Sequence, residues 1–132
     1  MKNRKIKTWV LSFVAFVMVT SLFACKKDNE VGPSKTSHKV VFKLEASAGS
    51  SISTVVYGYD SNATTSTSLS GTSWTSPEIT VPAGTITLNI ASGATGANAN
   101  STLKAQIYVD GELKKEGTSS GAILSASASY QF

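Results

Sequence analysis

The chain has 132 residues, a formal charge of +4 and one cysteine. Four of its 12 basic residues (Lys2, Arg4, Lys5, Lys7) precede Cys25, and all eight acidic residues follow it, so the chain from Cys25 onward is formally neutral. That neutrality excludes the basic stripe of a nucleic-acid binder, and a lone cysteine excludes an internal disulfide.

Residues 1–24 read as a secretory signal peptide. The four cations form a basic n-region, Trp9 to Val19 is an apolar h-region broken only by Ser12, and Ser21 to Ala24 brings small residues to a cleavage point. The apolar run is shorter than the roughly 20 residues of a spanning helix. Leu22-Phe23-Ala24-Cys25 resembles the bacterial lipobox. In that motif the cysteine thiol accepts diacylglycerol, and a small residue before it admits the lipoprotein signal peptidase. Acyl chains contribute about 0.8 kcal/mol per buried CH₂, so two or three of them make a lasting anchor. Cys25 is therefore the expected lipid-attachment residue. Cys25-Lys26-Lys27-Asp28-Asn29-Glu30 resembles the start of surface-exported lipoproteins in some Gram-negative bacteria. The expected location is the outer membrane, facing outward, with the periplasmic face as the alternative.

Residues 25–37 carry charges, Gly32-Pro33 and Ser34 but no apolar periodicity, and read as a flexible, lipidated tether. From His38 the period becomes two, with Val40, Phe42, Leu44 and Ala46 on one face of a strand. Ile52 to Asp60 reads as a second strand with ambiguous faces. Val55, Tyr57 and Tyr59 compete there with Ile52, Thr54 and Val56.

Ser61 to Ser76 is dense in Ser and Thr and reads as an edge strand or mobile loop. Glu78 to Val81 is a short strand, and Pro82-Ala83-Gly84 a turn. Thr85 to Ala91 is a strand with Ile86, Leu88 and Ile90 inward, followed by a loop over 92–101. Leu103, Ala105, Ile107 and Val109 alternate into Asp110-Gly111, a two-residue hairpin signal because both turn positions need positive φ. The return arm is Glu112 to Glu116. After a turn at 117–121 comes a last strand, 122–132, with Leu124, Ala126, Ala128, Tyr130 and Phe132 on one face.

About seven short strands without helical periodicity imply an all-β domain over residues 38–132: an immunoglobulin-like antiparallel β-sandwich, with a partly open barrel as the alternative. Tyr57-Gly58-Tyr59-Asp60, then Trp74, then Ile107-Tyr108-Val109-Asp110-Gly111 and the strand from Gly121-Ala122 resemble the small mycobacterial membrane protein family, MmpS, and its MmpS-like lipoproteins. The resemblance covers roughly residues 38–132. It implies a small β-sandwich and an accessory role beside an envelope transporter of the RND type. The chain departs from the family in its lipid-type anchor and in lacking the domain cysteines, with Ala105 standing where one is expected.

Catalytic chemistry finds little support in the residues. His38 is the only histidine and reads as a solvated strand-start residue without an orienting acid or a nucleophile. Asp60 with Asn62 falls short of a calcium ligand set and reads as a turn. No cofactor or metal site is expected, and no enzyme activity; an envelope hydrolase is the weaker alternative. Trp74 reads as core filler or as an exposed stacking residue. Tyr57, Tyr59 and Tyr108 read as an aromatic strip, and with Trp74 they form the candidate contact surface. Seven weak strands and a lipobox argue against an outer-membrane barrel, which the terminal Phe132 otherwise suggests. The expected function is that of a lipid-anchored binding or accessory protein. It would offer a sandwich face or loop tips to a partner protein, a glycan or an apolar small molecule, with no nucleic-acid partner.

Overall fold

A computed structural model describes residues 32–132. Cys25 and residues 1–24, expected to be a signal peptide, lie outside these residues. Nine strands form two antiparallel sheets that pack as a β-sandwich, and the described residues contain no helix. The strands are β1 (His38–Ala46), β2 (Ser51–Tyr59), β3 (Asn62–Ser66), β4 (Ser73–Thr75), β5 (Ile79–Val81), β6 (Thr87–Thr95), β7 (Thr102–Val109), β8 (Glu112–Ser120) and β9 (Ile123–Gln131). Sheet A runs β4-β1-β7-β8, with β5 also paired to β1; sheet B runs β3-β2-β6-β9.

Period-two alternation places the core. Val40, Phe42 and Leu44 of β1 and Leu103, Ala105, Ile107 and Val109 of β7 face Ile52, Val55, Leu88, Ile90, Leu124 and Ala126 of sheet B. Phe42, Tyr57 and Trp74 bridge the sheets as an aromatic trio. Their ring centroids are 5.3 Å (Phe42–Tyr57) and 5.1 Å (Tyr57–Trp74) apart.

Several expectations shift. The two faces read for β2 are both right in part, because a register shift between Ile52 and Thr54 swaps the parity. Ile52 points inward before it, and Val55 and Tyr57 after it. β6 continues through the expected loop to Thr95. Its inward Ser92 satisfies its hydroxyl on the Ala126 carbonyl (3.0 Å), so a polar residue sits in the core without a hydrophobic signal. Ile86 is half exposed rather than inward, because it precedes β6, which begins at Thr87 instead of Thr85. β8 likewise runs on to Ser120, past the expected turn at 117.

Residues 32–37, expected to be flexible, are docked on the sandwich by their backbone. Gly32 N–H donates to the Phe132 carbonyl (2.9 Å) and Ser34 N–H to the Thr85 carbonyl (2.8 Å), while Gly84 N–H donates to the Ser34 carbonyl (2.7 Å). Backbone pairing of this kind leaves no side-chain periodicity to read.

Candidate functional site

The two outer faces differ in chemistry. Lys39, Lys43, Glu45, Lys104, Glu112, Lys114, Lys115 and Glu116 all belong to sheet A strands. None of the four strands of sheet B contains a charged residue.

The outer face of sheet B is laid out in cross-strand rows: Thr65–Val56–Ala91–Ser127, and next to it Ala63–Gly58–Asn89–Ser129. Small side chains leave a groove of about 450 Å³ along these rows. Its polar groups are amides and hydroxyls: Asn62, Asn89, Ser127 and Ser129, with Ser129 Oγ donating to Asn89 Oδ1 (2.8 Å). Asp60 and Lys115 border it from a turn and from β8. The Asp60 carboxylate is already engaged, because Oδ1 accepts the backbone N–H groups of Ile86 (3.0 Å) and Thr87 (2.9 Å). Asp60 thus caps the start of β6. Among the described residues no group of acids, histidines or cysteines could hold a metal ion.

On sheet A a second groove of about 510 Å³ runs beside Val41 and Tyr108, with Lys39, Lys43, Glu78 and Asp110 around it. Lys43 Nζ lies 4.8 Å above the Tyr108 ring, a cation–π contact. Gln106 is buried on this side. Its Nε2 donates to Glu116 Oε2 (3.0 Å), while Oε1 has no partner among the described residues.

The four aromatic residues read as a contact surface do not form one. Tyr57 is 7% exposed and sits in the core, because the β2 register shift turns it inward. Trp74 and Tyr59 are half-buried and pack on that core. Tyr108 stands on the outer face of sheet A, across the sandwich from β2.

His38 has the orienting acid that the sequence reading denied it. Its Nδ1 lies 2.6 Å from Asp110 Oδ2, its Nε2 lies 3.3 Å from Thr36 Oγ1, and its ring stacks on Phe132 at 4.9 Å. Asp110 Oδ1 also accepts Lys39 N–H (2.9 Å). The hydrogen bond from His38, and after it the one from the Lys39 backbone, hold the Asp110 carboxyl below its ordinary value. The cluster ties the entry of β1 to the β7–β8 hairpin and to the C-terminal residue. The available signal was topological: β1 pairs antiparallel with β7, so the start of one meets the turn that ends the other.

The fold and its faces define a class: an antiparallel β-sandwich with one charged and one uncharged outer surface. No family model matches the chain, and no curated protein matches it.

Proposed function

We propose that this protein is a lipid-anchored, non-enzymatic contact module of the outer membrane, held by Cys25 and working through sheet B. The observation that carries the reading is the absence of charge from every strand of that sheet. An uncharged surface of amides, hydroxyls and small apolar groups suits a neutral partner, either a protein strand or a glycan. Its strands bring no charge to be desolvated, and the two charges at the groove, Asp60 and Lys115, lie at its border.

The placement of the docked segment supports the same reading. The docked segment from Gly32, the chain's last residue Phe132 and the 82–87 turn share one end of the sandwich. The sheet B face runs away from that end for the length of a nine-residue strand, roughly 30 Å. The likeness to MmpS-like lipoproteins bears on fold more than on partner. The residues that carry it, Asp60, Trp74 and Asp110-Gly111, all have structural tasks here, in the β2–β3 turn, the aromatic trio and the β7–β8 turn.

Exchange of the exposed Ala91 for Arg tests the reading. The variant should fold as the wild type does but lose partner crosslinks in intact cells. Equal crosslinking of both proteins would remove sheet B from the account.

A second reading, an envelope hydrolase, is favoured by the order hydroxyl, imidazole, carboxylate in Thr36–His38–Asp110. It predicts turnover of an activated ester that disappears in His38→Ala. The contact reading predicts the same background rate for both proteins.

A further inference from the structure

The open edges of a sheet carry unpaired N–H and C=O groups, and folded proteins protect them. In this sandwich β4 and β5 form one interrupted edge. Between them Ser76 accepts Phe42 N–H on its side chain (2.9 Å), and Pro77 follows. The β8 and β9 edges face each other. A Cβ at Gly117 would lie 1.8 Å from the Ser127 carbonyl oxygen, and Ser125 N–H donates to Ser119 Oγ (3.1 Å). Beyond β3, the edge of β2 is sealed by Leu69 N–H on the Ser53 carbonyl (3.1 Å) and Ile52 N–H on the Gly71 carbonyl (2.9 Å).

Among the described residues β3 has no such protection. There it pairs only with β2, and its sequence Asn62-Ala63-Thr64-Thr65-Ser66 contains no charge and no proline. The orientation of its backbone follows from Gly58. A Cβ there would lie 1.9 Å from the Asn62 carbonyl oxygen, so that carbonyl points at β2. Alternation then turns Asn62, Thr64 and Ser66 toward β2, and turns the N–H and C=O of Ala63 and Thr65 to solvent.

We propose that β3 pairs antiparallel with β3 of a second copy of this chain, about a two-fold axis at Thr64. The proposal rests on the contact-module reading and names its partner. The axis sets Ala63 of one copy opposite Thr65 of the other, so both outward-facing residues on each side find partners, in roughly four hydrogen bonds. No like charges meet along the seam. Asp60, the nearest acid, falls opposite position 68 of the other copy and away from its own counterpart. The two uncharged sheets become one continuous sheet. The same axis reverses the copies end for end, so their Gly32 residues leave at opposite ends, and acylated copies bridge two membrane surfaces.

Light scattering of the mature, acylated protein in detergent tests the pairing, with the mass at Cys25 read from the same sample. The expected protein mass is that of two chains, and vesicles carrying the protein should cluster. Thr65→Lys adds a like charge on each side of the seam, and Thr65→Pro removes an outward N–H; each should weaken the dimer by about tenfold or more without lowering the unfolding temperature of the monomer. A monomer at about 100 µM would overturn the proposal, and so would a dimer indifferent to both substitutions. A monomer that binds an uncharged extended peptide would also overturn it, by making another protein the partner. An unmodified Cys25 together with a Thr65-sensitive dimer would sink the anchor alone and leave the pairing standing.

Discussion

Asp110 does two jobs that its neighbours in the sequence do not disclose. At φ 51° it occupies the first position of the turn, with Gly111 at φ 81° in the second, as a two-residue hairpin requires. Its side chain meanwhile holds His38 and the Lys39 backbone. Because folding lowers this carboxyl from its ordinary value of 3.8, its contribution is full above that pH and is lost as the pH falls through the lower folded value. Asp110→Asn keeps a residue that tolerates the turn but removes the charge. Thermal unfolding followed from neutral pH into acid should show a lower transition for the variant at neutral pH and a gap that closes below 3.8. A constant gap would assign the effect to the turn alone. At Gln106 the Oε1, without a partner among the described residues, costs about 1–3 kcal/mol, while Glu116 is exposed and regains water on losing its partner. Gln106→Leu should therefore be neutral or stabilising in urea unfolding, and a clear loss of stability would show that the amide is needed. Asp110-Gly111 was legible as a turn from two letters. The partnership with His38 was not, since it spans 72 positions and depends on which strands pair.

Strands with strong alternation announced themselves, and β1, β7 and β9 lie close to where their Val, Leu, Ile and Ala residues put them. The sequence signal of β6 and β8 ends early, because β6 continues in Ser, Gly and Ala and β8 in Gly, Thr and Ser. Those small residues serve packing. Gly117 lets β8 approach the β9 backbone so closely that a methyl group would strike the Ser127 carbonyl. Gly117→Ala should cost about 1–3 kcal/mol through overpacking at that crossing, measured as a shift in urea midpoint. A midpoint unchanged from wild type would mean that the edges of β8 and β9 do not need their closeness. β2 carried two competing faces in its sequence, and only the register shift at Ser53 reconciles them. A bulge is visible in a pairing and not in a single strand. In the same way Trp74 lies in one of the shortest strands, yet it packs on Tyr57 from the opposite sheet. Trp74→Ala should cost about 2–4 kcal/mol, somewhat less than a fully buried aromatic, because the side chain is half-buried.

At the scale of the whole molecule, the chain divides its polarity by sheet. Charges sit on sheet A, where ion pairs such as Lys39–Glu78 at 3.9 Å are exposed and add little stability. Their value there is solubility, which leaves sheet B free to present amides, hydroxyls and an open edge. The composition of each strand was legible from the start, but its assignment to one sheet was not, because β2, β3, β6 and β9 are scattered along the chain. The proposed anchor is the opposite case, read from Leu22-Phe23-Ala24-Cys25 and lying outside the described residues. The proposed contact role depends on where the domain is held, so attachment at Cys25 is the claim on which the account turns. Mass spectrometry of the mature protein's N-terminal peptide measures it directly. The account predicts a chain that begins at Cys25 with diacylglycerol and a further acyl chain attached. A mature chain whose Cys25 carries no acyl group, or one that retains residues 1–24, would contradict it.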